Sequence, residues 1–219
     1  MHEAGVGRRR YVTALKYPGL TPLYDPVIRW FFRGQTIKGR LVREAGIRPG
    51  ERVLDVGCGT GTLAILLKRE QPEATVVGVD GDPAILEIAR RKALASGTDV
   101  QWDRGFAQDL PYPDESFDVA VSSLVLHHLS HEDKVRALLE VHRVLRPRSL
   151  FALVEFTRPR GVLMTALSRV SELLEETEDG VEGRLPAMLR DAGFEAGREV
   201  ERYRTPLGTI ALFTVRRAA

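Results

Sequence analysis

The chain has 219 residues, of which 28% are charged and 43% hydrophobic, and a net charge of +2 at pH 7. That length suits one α/β domain with a modest addition, and the balanced charge gives no global case for nucleic acid. The single cysteine, Cys58, excludes an internal disulfide and any multi-cysteine metal site, and no apolar run is long enough to span a membrane.

Residues 1–19 form a basic arm, in which Arg8, Arg9, Arg10 and Lys16 interleave with Tyr11, Val12, Leu15 and Tyr17. The favoured reading is a solvated tail that folds over the domain; the other is peripheral contact with a membrane surface. The arm lacks a signal-peptide core, so the chain reads as cytoplasmic. A single domain is expected over residues 20–219, opening with a helical cap over residues 20–48. Asp25 suits its N-cap and Pro26 its first helical position. Val27, Trp30, Phe31, Ile37, Leu41 and Ala45 keep near-helical spacing, with a break at Gly34 and a stop at Gly46.

The central motif is Val53-Leu54-Asp55-Val56-Gly57-Cys58-Gly59-Thr60-Gly61, an apolar strand ending in an acid and then a glycine-rich turn. A helix-like segment follows over residues 62–68, with Leu63, Leu66 and Leu67 as its packing stripe. Glycines let the backbone pass close to a ligand, and a helix start offers free N–H groups. The spacing is Gly-x-Gly-x-Gly rather than the dinucleotide Gly-x-Gly-x-x-Gly, and no Lys-Ser/Thr follows it as a triphosphate loop requires. A second acid, Asp80, ends the next apolar run 19 residues past Gly61, where a carboxylate can accept from two ribose hydroxyls.

Asp82-Pro83 caps the next helix, with Ile85, Ile88 and Ala89 expected inward and Glu87 paired with Arg91 outside. Residues 98–103 alternate as a third strand. Residues 117–123 are nearly continuous in apolar character, as in a strand buried on both faces, and end at Ser122-Ser123. His127-His128 follow, and Ser130 with Asp133 opens a helix carrying Val135, Leu138, Leu139 and His142. Residues 150–156 form the next strand, with Glu155 near its end, and residues 160–182 form an amphipathic insertion with an acidic far end. A helix then stops at Gly193, and two antiparallel strands near residues 200–204 and 209–216 close the chain around a turn at 206–208.

Four stretches in this order resemble class I S-adenosylmethionine (SAM) methyltransferases. They are the glycine motif, residues 109–118, Val125-Leu126-His127-His128-Leu129 and residues 185–194. Leu153-Val154-Glu155-Phe156-Thr157-Arg158-Pro159 is similar to a segment of the ubiquinone/menaquinone C-methyltransferases, as is Tyr24-Asp25 ahead of its helices. The resemblance implies a Rossmann-like, seven-stranded, mostly parallel sheet with an antiparallel last strand and helices on both faces. It also implies a lid after the fifth strand.

By the same resemblance, SAM is the cofactor and S-adenosylhomocysteine its product. Gly57, Gly59 and Gly61 approach the cofactor by backbone, Asp55 orients its aminocarboxylate end, Asp80 binds the ribose, Phe106 and Ala107 meet the adenine with Gly81 at the position that packs on it, Ser123 contacts the methionine part, and Cys58, Thr60 and Ser122 complete the cofactor-binding set. Phe106 stands where the family usually has an acid; it either lies against the adenine ring or turns into the core, and Asp109 is an alternative acceptor. Pro147-Arg148-Ser149 replaces the usual Pro-Gly-Gly turn.

A small-molecule acceptor is expected, methylated at C, O or N by in-line displacement. His127, His128, Glu155 and Tyr24 are the polar candidates for managing a proton, with His127, Tyr24 and Glu155 taken as the catalytic set. His127 can equally cap a helix, and Tyr24 can equally be a packing residue. The histidines and acids have no metal-ligand spacing, so no metal is expected. The competing function is a non-catalytic SAM- or S-adenosylhomocysteine-binding regulator. No Asn/Asp-Pro-Pro-Tyr motif supports nucleic-acid methylation, and a monomer or homodimer is expected.

Overall fold

A computed structural model describes residues 34–158, 183–205 and 208–219. The basic arm, the first part of the helical cap with Tyr24, and the expected lid over residues 160–182 lie outside the described residues. The described chain begins with helix α1 (Gly34–Ala45), then alternates β1 (Arg52–Val56), α2 (Thr62–Glu70), β2 (Thr75–Asp80), α3 (Pro83–Ala95), β3 (Gln101–Arg104) and β4 (Phe117–Ser123). A 3-10 turn (Leu126–His128) leads to α4 (His131–Val144) and β5 (Leu145–Phe156), and α5 (Leu185–Asp191), β6 (Arg198–Thr205) and β7 (Gly208–Arg216) complete it.

The seven strands form one sheet in the order β3-β2-β1-β4-β5-β7-β6. β7 runs antiparallel to both its neighbours, while the other pairings are parallel. The chain order reverses between β1 and β4, which opens a crevice at their carboxyl ends. Successive strand residues face opposite layers. Val53 therefore joins Leu41, Leu63 and Leu67 under α1 and α2, whereas Leu54 and Val56 join Leu138, Val141 and Leu189 under α4 and α5. Among the described residues no helix is long and apolar enough to cross a membrane.

Local signals place most element ends. Gly46 stops α1 in a left-handed conformation, and Asp82 caps α3 by accepting from the N–H groups of Ala84 (2.8 Å) and Ile85 (3.4 Å). The Ser130 hydroxyl accepts from the Asp133 N–H at the start of α4. Two helix faces differ from expectation. On α3 the buried stripe is Leu86, Ala89 and Ala93, so Ile85 and Ile88 sit at its margin. On α4, Val135 and Leu139 are 37% and 48% exposed, and Lys134, Ala137, Leu138, Val141 and Val144 face inward. A lysine stem can cover apolar surface, which disguises the inward stripe as polar. The third strand begins at Gln101, later than its alternation implies.

Pro147, Arg148 and Ser149 lie within β5, and Arg148 takes up the left-handed conformation (φ 64°) that a glycine would adopt freely. Its N–H donates to the Arg217 carbonyl (3.0 Å), and its own carbonyl accepts from the Arg216 guanidinium (3.0 Å). Both bonds are made by the backbone. Arg148→Gly should therefore raise stability by about 0.5–1 kcal/mol, the relief of a left-handed non-glycine residue less the added chain entropy. An unchanged or lower urea midpoint would show that this turn carries no strain.

Candidate functional site

The site is built where β1, β2 and β4 end. β1 delivers Asp55, and residues 57–61 then turn into α2, held by the Cys58 N–H on the Val79 carbonyl (3.0 Å) and the Gly61 N–H on the Cys58 carbonyl (3.0 Å). The three glycines serve different neighbours. A Cβ on Gly57 would lie 2.5 Å from Val125, and one on Gly61 would lie 2.4 Å from the Trp102 ring. Among the described residues, a Cβ on Gly59 would meet nothing within 4 Å. Gly57 and Gly61 are thus fixed by packing, and Gly59 is the glycine with an open side.

Asp55 is 1% exposed. It accepts from the Ala64 N–H in the first turn of α2, while its Oδ2 is buried without a hydrogen-bond partner among the described residues. Burial pushes its pKa up to about 7, against the opposing pull of Lys38 on α1 and of the Ala64 N–H. Asp80 holds the turn from the other side. Its Oδ2 accepts from the Gly59 N–H (2.9 Å) and its Oδ1 from the Asp82 N–H (3.0 Å). Burial raises its pKa as well, and these backbone donors act against the rise.

Three of the expected cofactor residues have side chains engaged within the protein. The Cys58 thiol packs toward Gly78 of β2, and burial holds its pKa well above the ordinary thiol range. The Thr60 hydroxyl accepts from the Lys92 ammonium of α3 (3.2 Å), which also donates to Thr62 (2.7 Å). The Ser122 hydroxyl is buried and donates to the Val56 carbonyl (3.2 Å), tying β4 to β1. These three side chains organise the loop from behind. Gly81, Phe106 and Ser123 remain partly exposed around the strand ends, and Ala107 is partly buried against the α4–α5 core. The Gly105 N–H donates to the Asp80 carbonyl (3.1 Å), which brings the Phe106 segment beside the acid.

The histidine corner follows β4. Leu124 has a positive φ of 58°, and Val125 packs over Gly57. His127 and Glu155 are both buried, with His127 Nδ1 2.8 Å from Glu155 Oε1. Glu155 also accepts from the N–H groups of Val125 (3.1 Å), Leu126 (2.8 Å) and Phe156 (2.9 Å). The His127 ring meets Phe156 edge-on and lies 4.0 Å from the His128 ring. Burial, together with the neighbouring His127, lowers the His128 pKa to about 3. His128 is therefore a neutral, weak base at physiological pH. The structure brings His127 and Glu155 together, while Tyr24 lies outside the described residues.

Trp102, Lys92 and Lys38 carry no expected role in the sequence, and Val125 enters there only as part of a motif. For Trp102 a signal existed: a glycine inside strand β2, Gly78, marks a close approach, and a Cβ there would lie 2.6 Å from the indole.

A family model described as a methyltransferase domain matches residues 53–148, which spans β1 to the start of β5. An uncharacterized methyltransferase of Synechocystis sp. is 36% identical over 156 residues, covering 70% of this chain and 71% of that protein. The chain belongs to the methyltransferase-domain family. It is of the class I, SAM-dependent kind, as the Gly-x-Gly-x-Gly loop between two strand-end acids implies. A 2-phytyl-1,4-naphtoquinone methyltransferase of Synechococcus elongatus is 35% identical over 156 residues; the match covers 69% of this chain and 66% of the relative's length. Among solved structures, the YcgJ protein from Bacillus superposes with a TM-score of 0.68 at 20% identity, over 83% of this chain and 98% of that chain, and shares its fold.

The donor set suits SAM. A buried carboxylate oxygen without a protein partner, on Asp55, adjoins a loop whose one glycine with an open side is Gly59. A ligand carrying an ammonium group at one end and ribose hydroxyls at the other matches Asp55 and Asp80 in both charge and order.

Proposed function

We propose that this methyltransferase moves the methyl group of SAM to a small-molecule acceptor, with a quinol-type ring carbon the favoured class. The observation that carries the reading is the buried Asp55 oxygen that has no hydrogen-bond partner among the described residues, at the strand end just ahead of a loop in which Gly59 has an open side. SAM supplies an electrophilic methyl on a positive sulfur, so the protein's work is positioning, exclusion of water and management of one proton. Asp55 would take the ammonium end. Gly59 would admit the cofactor by backbone approach. Asp80 would accept from the ribose hydroxyls with the lone pairs its two backbone donors leave. Gly81, Phe106 and Ala107 would border the adenine, and Ser123 the methionine part. His127 is the candidate proton acceptor, because His128 is too weak a base. The quinone-type relative and the strand-end segment at residues 153–159 favour a quinol acceptor.

Purified protein, methyl-labelled SAM and a lysate of the source organism test the reading. Label in the lipid extract supports the quinol class. Label confined to the aqueous phase overturns that class and keeps methyl transfer. SAM binding without label in either phase overturns transfer.

Asp55 also gives the site a pH dependence. A carboxylate whose folded-state pKa is raised contributes stability that is fully present below about pH 4 and lost as pH rises through about 7. A bound ammonium favours the ionised form and reverses the trend. SAM affinity should therefore rise between pH 6 and 7.5, with proton release on binding. Calorimetry in two buffers of different ionisation enthalpy measures both, and Asp55→Asn should flatten the profile. A flat profile in the unaltered protein removes Asp55 from the ammonium role.

A further inference from the structure

We propose that Glu155 is the positioning residue of this site rather than a proton acceptor: its carboxylate imposes the bend at residues 124–128, seating Val125 on Gly57 and fixing the His127 ring through Nδ1–H. The inference rests on the donor-site reading above.

All four contacts of Glu155 come from the corner or from its own strand end. Oε2 takes the Val125 and Leu126 N–H groups, and Oε1 takes His127 Nδ1 and the Phe156 N–H. A carboxylate has about four acceptor positions, so these donors occupy it and leave no position for a substrate proton. Burial alone would raise its pKa, but His127, with the Phe156 N–H and His128, outweighs that and holds it below its ordinary value. An ionised Glu155 holds a proton on His127 Nδ1, so in the neutral imidazole the lone pair lies on Nε2.

The corner needs such an anchor. Leu124 is in the left-handed region, where a leucine is strained, and such residues persist when their surroundings over-determine them. Glu155 supplies two of the constraints on the very next residues, Val125 and Leu126. Val125 in turn closes over Gly57, so the carboxylate reaches the cofactor loop through the Val125 backbone that it holds.

The test uses the full chain, with S-adenosylhomocysteine as probe. Imidazole ¹⁵N spectra of the unaltered protein should show His127 protonated at Nδ1; a bare Nδ1 overturns the proposal without any variant. Glu155→Gln can serve only two of the four donors, because its amide nitrogen cannot accept. It should lower S-adenosylhomocysteine affinity about tenfold and shift the His127 proton toward Nε2. Adding Leu124→Gly, which removes the strain the carboxylate opposes, should recover at least half of that loss on a logarithmic scale. Unchanged affinity in Glu155→Gln, or no recovery in the double variant, overturns the proposal. A purely structural role for Glu155 would not move the imidazole signature. If the unaltered protein fails to bind S-adenosylhomocysteine, the donor-site reading fails, while the ¹⁵N result still decides the assignment of Glu155.

Discussion

Gly61→Ala should destabilise the protein by about 3 kcal/mol, whereas Gly59→Ala should cost the fold only about 1 kcal/mol and weaken SAM binding at least tenfold. The numbers follow from what surrounds each position. At Gly61 a methyl would lie 2.4 Å from Trp102 and 2.9 Å from Ala89. The neighbours are an indole locked between strand and helix and a helix side chain with no freedom to turn. Overpacking of this kind costs about 1–3 kcal/mol, and the left-handed backbone (φ 76°) adds about 1–2 kcal/mol. At Gly59 only the backbone term applies, because nothing lies within 4 Å. The methyl instead enters the space that a cofactor would use. Urea unfolding and SAM calorimetry on the two variants separate the roles. Equal losses of stability would show that the open face of Gly59 is not where a ligand sits.

Asp80→Ala should lower SAM affinity about a hundredfold and also reduce stability. The carboxylate does two jobs: it would meet the ribose, and it already holds the Gly59 and Asp82 N–H groups. Removing it leaves two part-buried donors without their acceptors, at about 1–3 kcal/mol each. Asp80→Asn separates the two jobs. One side-chain oxygen still accepts, so it should retain most of the stability while affinity stays low. Calorimetric affinity unchanged in Asp80→Ala would remove Asp80 from the ribose role and leave it as a loop anchor.

The frame of the site was legible because each part has a local cause. An apolar strand ending in an acid, a run of alternate glycines and a leucine stripe gave β1, the turn and α2 in place. Asp82-Pro83 and Ser130 gave the starts of α3 and α4. The division of labour among the glycines was not legible, because it depends on Trp102 and Val125, which reach the turn from β3 and from the corner after β4. The same holds for Glu155. An acid at a strand end reads as a candidate base, and only the fold shows three of its donors arriving from residues 125–127. Thr60 and Ser122 are expected at the cofactor, and their hydroxyls bond Lys92 and the Val56 carbonyl, partners that only the fold reveals. The inward face of α4 was hidden because Lys134 and Ala137 occupy it where larger apolar residues were available one position away.

The indole of Trp102 lies under the glycine turn, with ring carbons where side chains on Gly61 and Gly78 would begin. The chain thus carries a built-in optical reporter of its own loop. The sequence has one other tryptophan, Trp30, which can be replaced by phenylalanine to leave a single emitter. A ligand that tightens residues 57–61 changes the surroundings of that emitter, so its fluorescence can follow cofactor exchange in a stopped-flow instrument without an attached dye or a known methyl acceptor.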